Sequence, residues 1–202
     1  MVRISAQIGK AFVIEHHYSH GIHNGPMTWG LFDGGELTGV IAFATPSSEN
    51  VTASVFGPDR RRAVTELHRL VLLDRMPYNS ESWFIVRGLR ALKAERPNYR
   101  AVLSFADATE GHIGTIYQAS NAIYTGTSGR ARFYLDSTGR LRHPRQNGHN
   151  VTLAEAAAKG WTPTMREGKH RYLFLLGTRR ERAESMRLLR LTSMPYPKGD
   201  TK

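Results

Sequence analysis

The sequence contains no cysteine and no apolar stretch long enough to span a bilayer. Without cysteine there is no disulfide framework, no thiolate metal site and no cysteine nucleophile. Residues 1–10 also lack the charged start, apolar centre and small-residue cleavage site of a secretory signal. We therefore expect an intracellular, cytoplasmic protein that does not enter a membrane.

Acidic residues are scarce: 17 Asp and Glu face 28 Lys and Arg, which gives a formal net charge of +11. Such an excess favours a polyanionic partner, with nucleic acid first and an anionic membrane surface second. The alternative is a basic protein without any polyanionic partner. The 202 residues, 40% of them hydrophobic, are enough for one domain over 1–202, in which 150–202 is a basic C-terminal extension of uncertain role.

The pattern of apolar residues predicts a mixed α/β fold. Residues 29–32 and 37–44 alternate as strands around Asp33-Gly34-Gly35, a favoured tight-turn sequence, whereas 46–62 is expected to be irregular. A helix with an apolar face of Trp83, Val86, Leu89 and Leu92 crosses between strands at 66–73 and 102–106. Such a crossover makes the two strands parallel neighbours, with Asp74 and Asp107 at their carboxyl ends.

Two groups of side chains point to chemistry near these strand ends. Four histidines lie between positions 16 and 23, and neutral imidazole is a common metal ligand and general base. The alternative for this cluster is a polar loop. Asp107 and Tyr117, together with a histidine, form an oxygen-and-nitrogen set that suits iron or a similar transition metal. Equally well, Asp107 caps the next helix.

Two further features favour binding of phosphates. The segment 79–82 opens a helix, whose free N–H groups and hydroxyls can hold an anion beside Arg69 or Arg75, although plain capping is the more frequent explanation. Arginines recur through the chain, interleaved with aromatic residues that can stack on a base. The arginines that we expect to bind DNA are Arg60, Arg61, Arg62, Arg130 and Arg132, and the interleaved aromatic residues are Tyr124, Phe133 and Tyr134.

The ordered set of motifs over about residues 10–130 resembles the Mom family of phage DNA-modification proteins. The motifs, in chain order, are His17-Tyr18-Ser19-His20, Trp29-Gly30-Leu31-Phe32, Glu66-Leu67-x-Arg69-Leu70, Asn79-Ser80-Glu81-Ser82-Trp83, Ser104-Phe105-Ala106-Asp107 and Gly111-His112-x-Gly114-Thr115-x-Tyr117-Gln118-Ala119-x-Asn121. Each motif alone is weak, but the block from Asp107 to Asn121 is fairly specific.

The resemblance implies a fold similar to the N-acetyltransferase (GNAT) fold. It also implies a phage- or prophage-encoded enzyme that converts adenine in double-stranded DNA to its N6-carbamoylmethyl form, which protects the DNA from host restriction. On this basis His17, Asp107 and Tyr117 are expected to bind iron. Asp107, Tyr18 and Glu66 are the expected catalytic residues, and the residues expected to hold the phosphates of the donor are Arg69, Asn79, Ser80 and Ser82.

One departure concerns the group donor. Acetyltransferases bind pyrophosphate with a glycine-rich loop, but residues 75–80 contain no glycine. The donor is therefore acyl-CoA or another glycine-derived compound, and acetyl transfer alone does not yield a two-carbon amide. Two alternative functions are a coenzyme A-dependent N-acyltransferase that acts on protein, amine or tRNA, and a basic DNA-binding protein without enzymatic activity.

Overall fold

The computed structural model describes residues 1–18, 20–22, 25–46, 48–146 and 149–198. Its helices are α1 (Ala6–His16), α2 (Glu49–Phe56), α3 (Ser80–Glu95), α4 (Thr115–Ala119), α5 (Leu153–Ala158) and α6 (Arg179–Leu188). Its strands are β1 (Val2–Ile4), β2 (Met27–Asp33), β3 (Glu36–Ala44), β4 (Val64–Leu72), β5 (Ala101–Ala106), β6 (Ile123–Thr127), β7 (Ala131–Leu135), β8 (Leu141–Arg142), β9 (Arg145–Gln146), β10 (His149–Asn150), β11 (Thr162–Arg166) and β12 (His170–Leu175).

Within the described residues, a seven-stranded sheet in the order β1-β2-β3-β4-β5-β12-β6 forms the centre of the fold. Its neighbouring strands are antiparallel except for β4 and β5, which are parallel and joined through α3. The mixed α/β fold with a helix between parallel neighbours is thus confirmed, as is the hairpin of β2 and β3. A smaller sheet has the order β11-β7-β8. Residues 150–202 therefore supply β11 to the smaller sheet and β12 to the seven-stranded sheet.

The two parallel strands separate soon after they pair. Their register joins Val64–Glu66 to Ala101–Leu103, and beyond it both strands continue without pairing to each other. In β4 the pairing with β3 also shifts, because Ala42 faces Arg69 while Phe43 faces Leu67, which leaves His68 as an extra, bulged residue. A bulge bends its strand and increases the local twist, so β4 turns away from β5 and leaves space between them.

Helix α3 packs on the sheet through only part of the predicted face, since Leu89 and Leu92 pack in the core but Trp83 and Val86 do not. Its buried residues include Phe84, Ile85 and Leu92, whereas Trp83 is 47% and Val86 36% exposed. The Arg87 guanidinium lies 5.2 Å from the centre of the Trp83 ring, so this indole is covered at the surface by a cation. The predicted helix is correct, and in its first turns Phe84 and Ile85 take the buried positions expected for Trp83 and Val86.

Residues 46–62 are not irregular, which corrects the prediction for this segment. They form α2 and then a 3₁₀ helix at Pro58–Ala63. Thr52, Val55 and Phe56 are buried at the spacing of one helical face, and the last two pack in the cluster that contains Leu103 and Leu173. The nearby prolines suggested a loop, but this apolar spacing is what determines the structure.

None of the described helices is long and apolar enough to cross a bilayer.

Candidate active site

A cavity of about 500 Å³ opens where β4 and β5 separate, at the carboxyl end of β5. Its wall comes from the end of α1, from β4, from the turn after β5, from the first part of α4 and from the loop before β12. The polar residues that line it are His16, His17, Tyr18, Glu66, His68, Arg69, Glu81, Asp107, His112, Thr115, Tyr117 and Lys169. Six of the predicted site residues therefore line one cavity: His17, Tyr18, Glu66, Arg69, Asp107 and Tyr117.

Asp107 caps the short 3₁₀ helix that follows β5, as one alternative predicts, and it also lines the cavity. Its Oδ1 accepts hydrogen bonds from the backbone N–H and the hydroxyl of Thr109, at 3.2 and 2.7 Å. Its oxygens also lie 3.2 Å from Lys169 Nζ and 3.5 Å from an Arg166 nitrogen. Burial alone would raise the pKa of Asp107, but the Thr109 hydrogen bond and the two cations lower it. The carboxylate is thus ionised at neutral pH.

His17 closes α1 and carries a neutral ring. Its backbone N–H donates to the Val13 carbonyl at 2.9 Å, which ends the helix and turns the chain toward the cavity. Burial of the ring lowers the pKa of His17 to about 4, with a smaller contribution from the charge of Arg69. The imidazole is therefore neutral at pH 7 and keeps a lone pair with which to accept a proton.

Tyr18 lies at the mouth of the cavity. Its ring stacks on His17 with centroids 4.3 Å apart and lies 5.8 Å from the ring of His112. The side chain is 60% exposed, so one part of this aromatic group faces solvent. Among the other clustered histidines, His20 Nδ1 lies 2.7 Å from the Ile14 carbonyl, and His23 is outside the described residues.

Tyr117 and Arg69 are held in fixed positions deeper in the cavity. The Tyr117 ring packs against Tyr172 and Phe174, with centroids 5.4 and 6.3 Å away, and burial raises the pKa of its phenol. The phenol stays protonated at neutral pH and can donate a hydrogen bond. Arg69 donates to the carbonyls of Gly21 and His68, at 2.7 and 2.6 Å, which orients its guanidinium.

The geometry does not support the predicted iron site of His17, Asp107 and Tyr117. Across the part of the chain that the structure describes, no group of three or more His, Asp or Glu side chains is placed to hold a metal ion. The Asp107 oxygens already face two cations, Arg166 and Lys169. No catalytic step is assigned to iron.

The predicted phosphate site at the start of α3 lies beside the cavity rather than in it. Asn79 adopts a left-handed conformation with φ 68° and does not cap the helix with its side chain, while the Ser82 hydroxyl donates to the Asn79 carbonyl at 3.0 Å. From this turn, Glu81 is the described residue that lines the cavity, and Asn79, Ser80 and Ser82 do not. The carboxylate of Glu81 would repel a bound phosphate. Of the residues predicted to hold the phosphates, Arg69 is the one that lines the cavity.

The predicted DNA-binding arginines divide between two regions. Arg60, Arg61 and Arg62 lie in the 3₁₀ turn just before β4 begins, whereas Asp107 follows the far end of β5. Because Val64 pairs with Ala101 and a strand rises about 3.3 Å per residue, the two edges are about 20 Å apart. Arg130 and Arg132 belong to the smaller sheet, where Ala131 pairs with Arg166, which reaches Asp107.

Several residues of the site were not predicted. His68 lies 3.4 Å from Glu66 in the bulge of β4, and Lys169 reaches Asp107 from a loop some sixty positions later in the chain. The bulge had no sequence signal, and Lys169 lies in the region without recognisable motifs. Tyr124, which was considered as a stacking residue, is buried and bonded to His170 Nδ1 at 2.9 Å, away from the cavity.

The chain is similar in sequence to a phage protein and in structure to acetyltransferases. The chain is 29% identical to "Methylcarbamoylase mom" of Escherichia phage Mu, over 96% of this chain and 82% of the phage Mu protein. Among solved structures it is similar to yncA of Salmonella typhimurium with acetyl-CoA (TM-score 0.48, 10% identity, 88% of this chain and 94% of that one). It is also similar to a Bacillus subtilis acetyltransferase in complex with CoA (TM-score 0.42, 10% identity, 87% of each chain). A sequence model described as the Mom protein family matches residues 1–198, and the chain therefore belongs to the Mom protein family.

Proposed function

We propose that this protein is a DNA-modifying transferase that attaches a carbamoylmethyl group to N6 of adenine in double-stranded DNA. In a phage or prophage this modification protects the DNA from host restriction. The observation that carries the proposal is the convergence of the family's motif residues, from His17 to Tyr117, on one cavity in a chain that matches the Mom family over residues 1–198. The name of the phage Mu relative supports the same type of group.

The cavity suits a base that has left the duplex. Adenine N6 cannot be reached inside a stacked helix, so an enzyme that alters it must extrude the nucleotide into a pocket. Tyr18 presents an exposed aromatic ring at the mouth, next to His112, and such a ring can stack on the extruded base. The cavity below this ring has space for the base and the reacting part of the donor.

The protonation states of the lining residues favour proton transfer from N6. The amino group is a poor nucleophile because its lone pair is delocalised into the ring. The N6–C bond forms as the bond from that carbon to the donor's leaving group breaks, the leaving group departs with the bonding electron pair, and N6 loses a proton. Three groups that line the cavity have lone pairs that can accept that proton: the imidazole of His17 and the carboxylates of Glu66 and Asp107. The ionised Asp107 and the nearby Glu66 then stabilise the positive charge that develops, and the Tyr117 phenol donates a hydrogen bond to a carbonyl oxygen.

The donor is proposed to lie along β4, and it is acyl-CoA or another glycine-derived compound. Residues 67–72 of β4 line the cavity beyond the point where this strand pairs with β5, so an extended donor can approach this edge. Arg69 is the cation on this wall, and its guanidinium is oriented by two backbone carbonyls. A forked guanidinium in a fixed orientation recognises a carbonyl or phosphate oxygen of the donor.

The test is to express the protein in a bacterial host, digest the DNA to nucleosides and compare them by mass spectrometry with an empty-vector control. We expect a deoxyadenosine species that is heavier by a carbamoylmethyl group. Unmodified deoxyadenosine from cells that contain folded protein would overturn the proposal. Acylated tRNA or protein in the same cells would instead favour the coenzyme A-dependent alternative, which binding to immobilised coenzyme A would test directly.

A further inference from the structure

The loop that connects β11 to β12 places a lysine at the rim of the cavity. Lys169 directly precedes β12 and lines the cavity, and its Nζ lies 3.2 Å from Asp107 Oδ2. The side chain is 51% exposed, so its ammonium group faces both the cavity and solvent. This residue has no place in the proton transfer described above, and the motifs do not include it.

The backbone of this loop is fixed more firmly than an ordinary surface loop. The N–H of Lys169 donates to the Ser128 hydroxyl at 2.9 Å, and its carbonyl accepts from the Ser128 N–H at 2.8 Å. The neighbouring Gly168 is buried against the same residue, since a Cβ at this position would overlap the Ser128 carbonyl. The backbone at Lys169 is therefore held in place, while the flexible end of its side chain extends to the rim.

The surroundings of Lys169 are cationic on the side of the smaller sheet. Arg166 also contacts Asp107, and its guanidinium lies 5.5 Å from the Phe133 ring. Arg130 is exposed and pairs with Glu167 in the same loop. The cations of this region thus extend outward from the cavity along the smaller sheet.

We propose that Lys169 binds a backbone phosphate of the DNA strand next to the nucleotide that enters the cavity. The inference rests on the proposed function, because an extruded base leaves its flanking phosphates at the rim. An ammonium group is a point charge with three donors, and its contact with Asp107 uses one of them. With Tyr18 on the base and Lys169 on the phosphate, the rim fixes the register of the strand.

The experiment measures binding of a fluorescent adenine-containing duplex at several salt concentrations, together with steady-state modification of the same duplex. Lys169→Gln removes the charge but keeps a side chain that can donate to Asp107. Each phosphate contact contributes about 0.9 to the slope of log K against log salt concentration, so we expect a slope shallower by about 0.9 and binding about eightfold weaker at 0.1 M salt. We expect the KM for DNA to rise by a similar factor with kcat nearly unchanged, and Lys169→Arg to restore both values.

The matched control is Lys159→Gln beside Lys169→Gln. Lys159 lies over the Trp161 ring at 4.9 Å, outside the cavity lining, and its removal should leave KM unchanged. An unchanged salt slope in Lys169→Gln overturns the proposal. A loss of kcat without a change in KM also overturns it, because that result would show that Lys169 acts on Asp107. Loss of coenzyme A binding with an unchanged DNA slope would also overturn it, by assigning the lysine to a donor phosphate. The slope requires no turnover, so it tests Lys169 even if adenine is never modified.

Discussion

Gly114 is a position where a single methyl group should disturb the site strongly. It adopts φ +79° at the start of α4, the helix that carries Tyr117. A Cβ at Gly114 would lie 2.8 Å from Cζ of Tyr172, well inside van der Waals contact. The Tyr172 ring cannot easily move away, because it is fully buried and its hydroxyl donates to Ile113 and accepts from Gln118 at 3.0 Å.

The expected cost of Gly114→Ala has two parts. A left-handed conformation costs a non-glycine residue about 1–2 kcal/mol, and forcing an extra methyl group into a packed site costs about 1–3 kcal/mol more. We therefore expect the free energy of unfolding to fall by about 2–5 kcal/mol. This is a large share of the roughly 5–15 kcal/mol that a typical domain possesses. Modification of adenine should fall as well, since α4 must shift and take Tyr117 with it.

Urea unfolding followed by circular dichroism measures this cost, and two other glycines separate its parts. Gly111 has φ +74° with open space around its Cβ position, so Gly111→Ala should show only the backbone cost of about 1–2 kcal/mol. Gly129 has neither a positive φ nor a close neighbour, so Gly129→Ala should be neutral or stabilising by up to about 1 kcal/mol. If Gly114→Ala costs no more than Gly111→Ala, the argument from the Tyr172 contact is wrong.

Three further predictions test the site and the charged surface. Asp107→Ala should abolish adenine modification in the nucleoside assay with little loss of duplex binding, and an active variant would remove Asp107 from the mechanism. The pKa of His17, about 4, lies below its ordinary 6.5. The contribution of His17 to the free energy of unfolding is therefore fully present above about pH 6.5 and is lost as the pH falls toward 4. Since the ring is only half-buried, we expect His17→Gln to remove about 1–2 kcal/mol of this loss of stability at low pH. Urea unfolding at pH 7 and pH 4.5 measures the loss, and a loss that is unchanged in the variant would contradict the burial argument. Arg61→Ala should weaken binding to every duplex and reduce the salt slope by about 0.9, and an unchanged slope would exclude a phosphate contact there.

Much of the fold was accessible from local patterns. Asp33-Gly34-Gly35 predicted the β2–β3 hairpin because tight turns need residues that tolerate positive φ, and Gly34 and Gly35 adopt φ 55° and 88°. The helix between two apolar strands predicted their parallel pairing. Since carboxyl ends of parallel strands meet at one edge, Asp107 was expected near a ligand site, and it lines the cavity.

The rest depended on long-range geometry that no local pattern contains. The bulge at His68 follows from the pairing of β4 with β3, and Lys169 reaches Asp107 only because β12 pairs with β5. Sequence spacing also could not show that Arg61 and Arg130 lie on separate regions of the molecule. Sequence spacing likewise could not show that Asp107 faces two cations, because Arg166 of β11 and Lys169 of the following loop are distant in the chain.

The position of β12 dictates the order in which the protein can assemble during synthesis. This strand fills the gap between β5 and β6, whose residues leave the ribosome some 45 to 70 positions earlier. Until residues 170–175 emerge, one side of β5 and one side of β6 remain without this partner, and open strand edges of this kind invite pairing with other chains. The chain is therefore most open to pairing with other chains before β12 is made, and until then Asp107, which follows β5, also lacks the contact with Lys169.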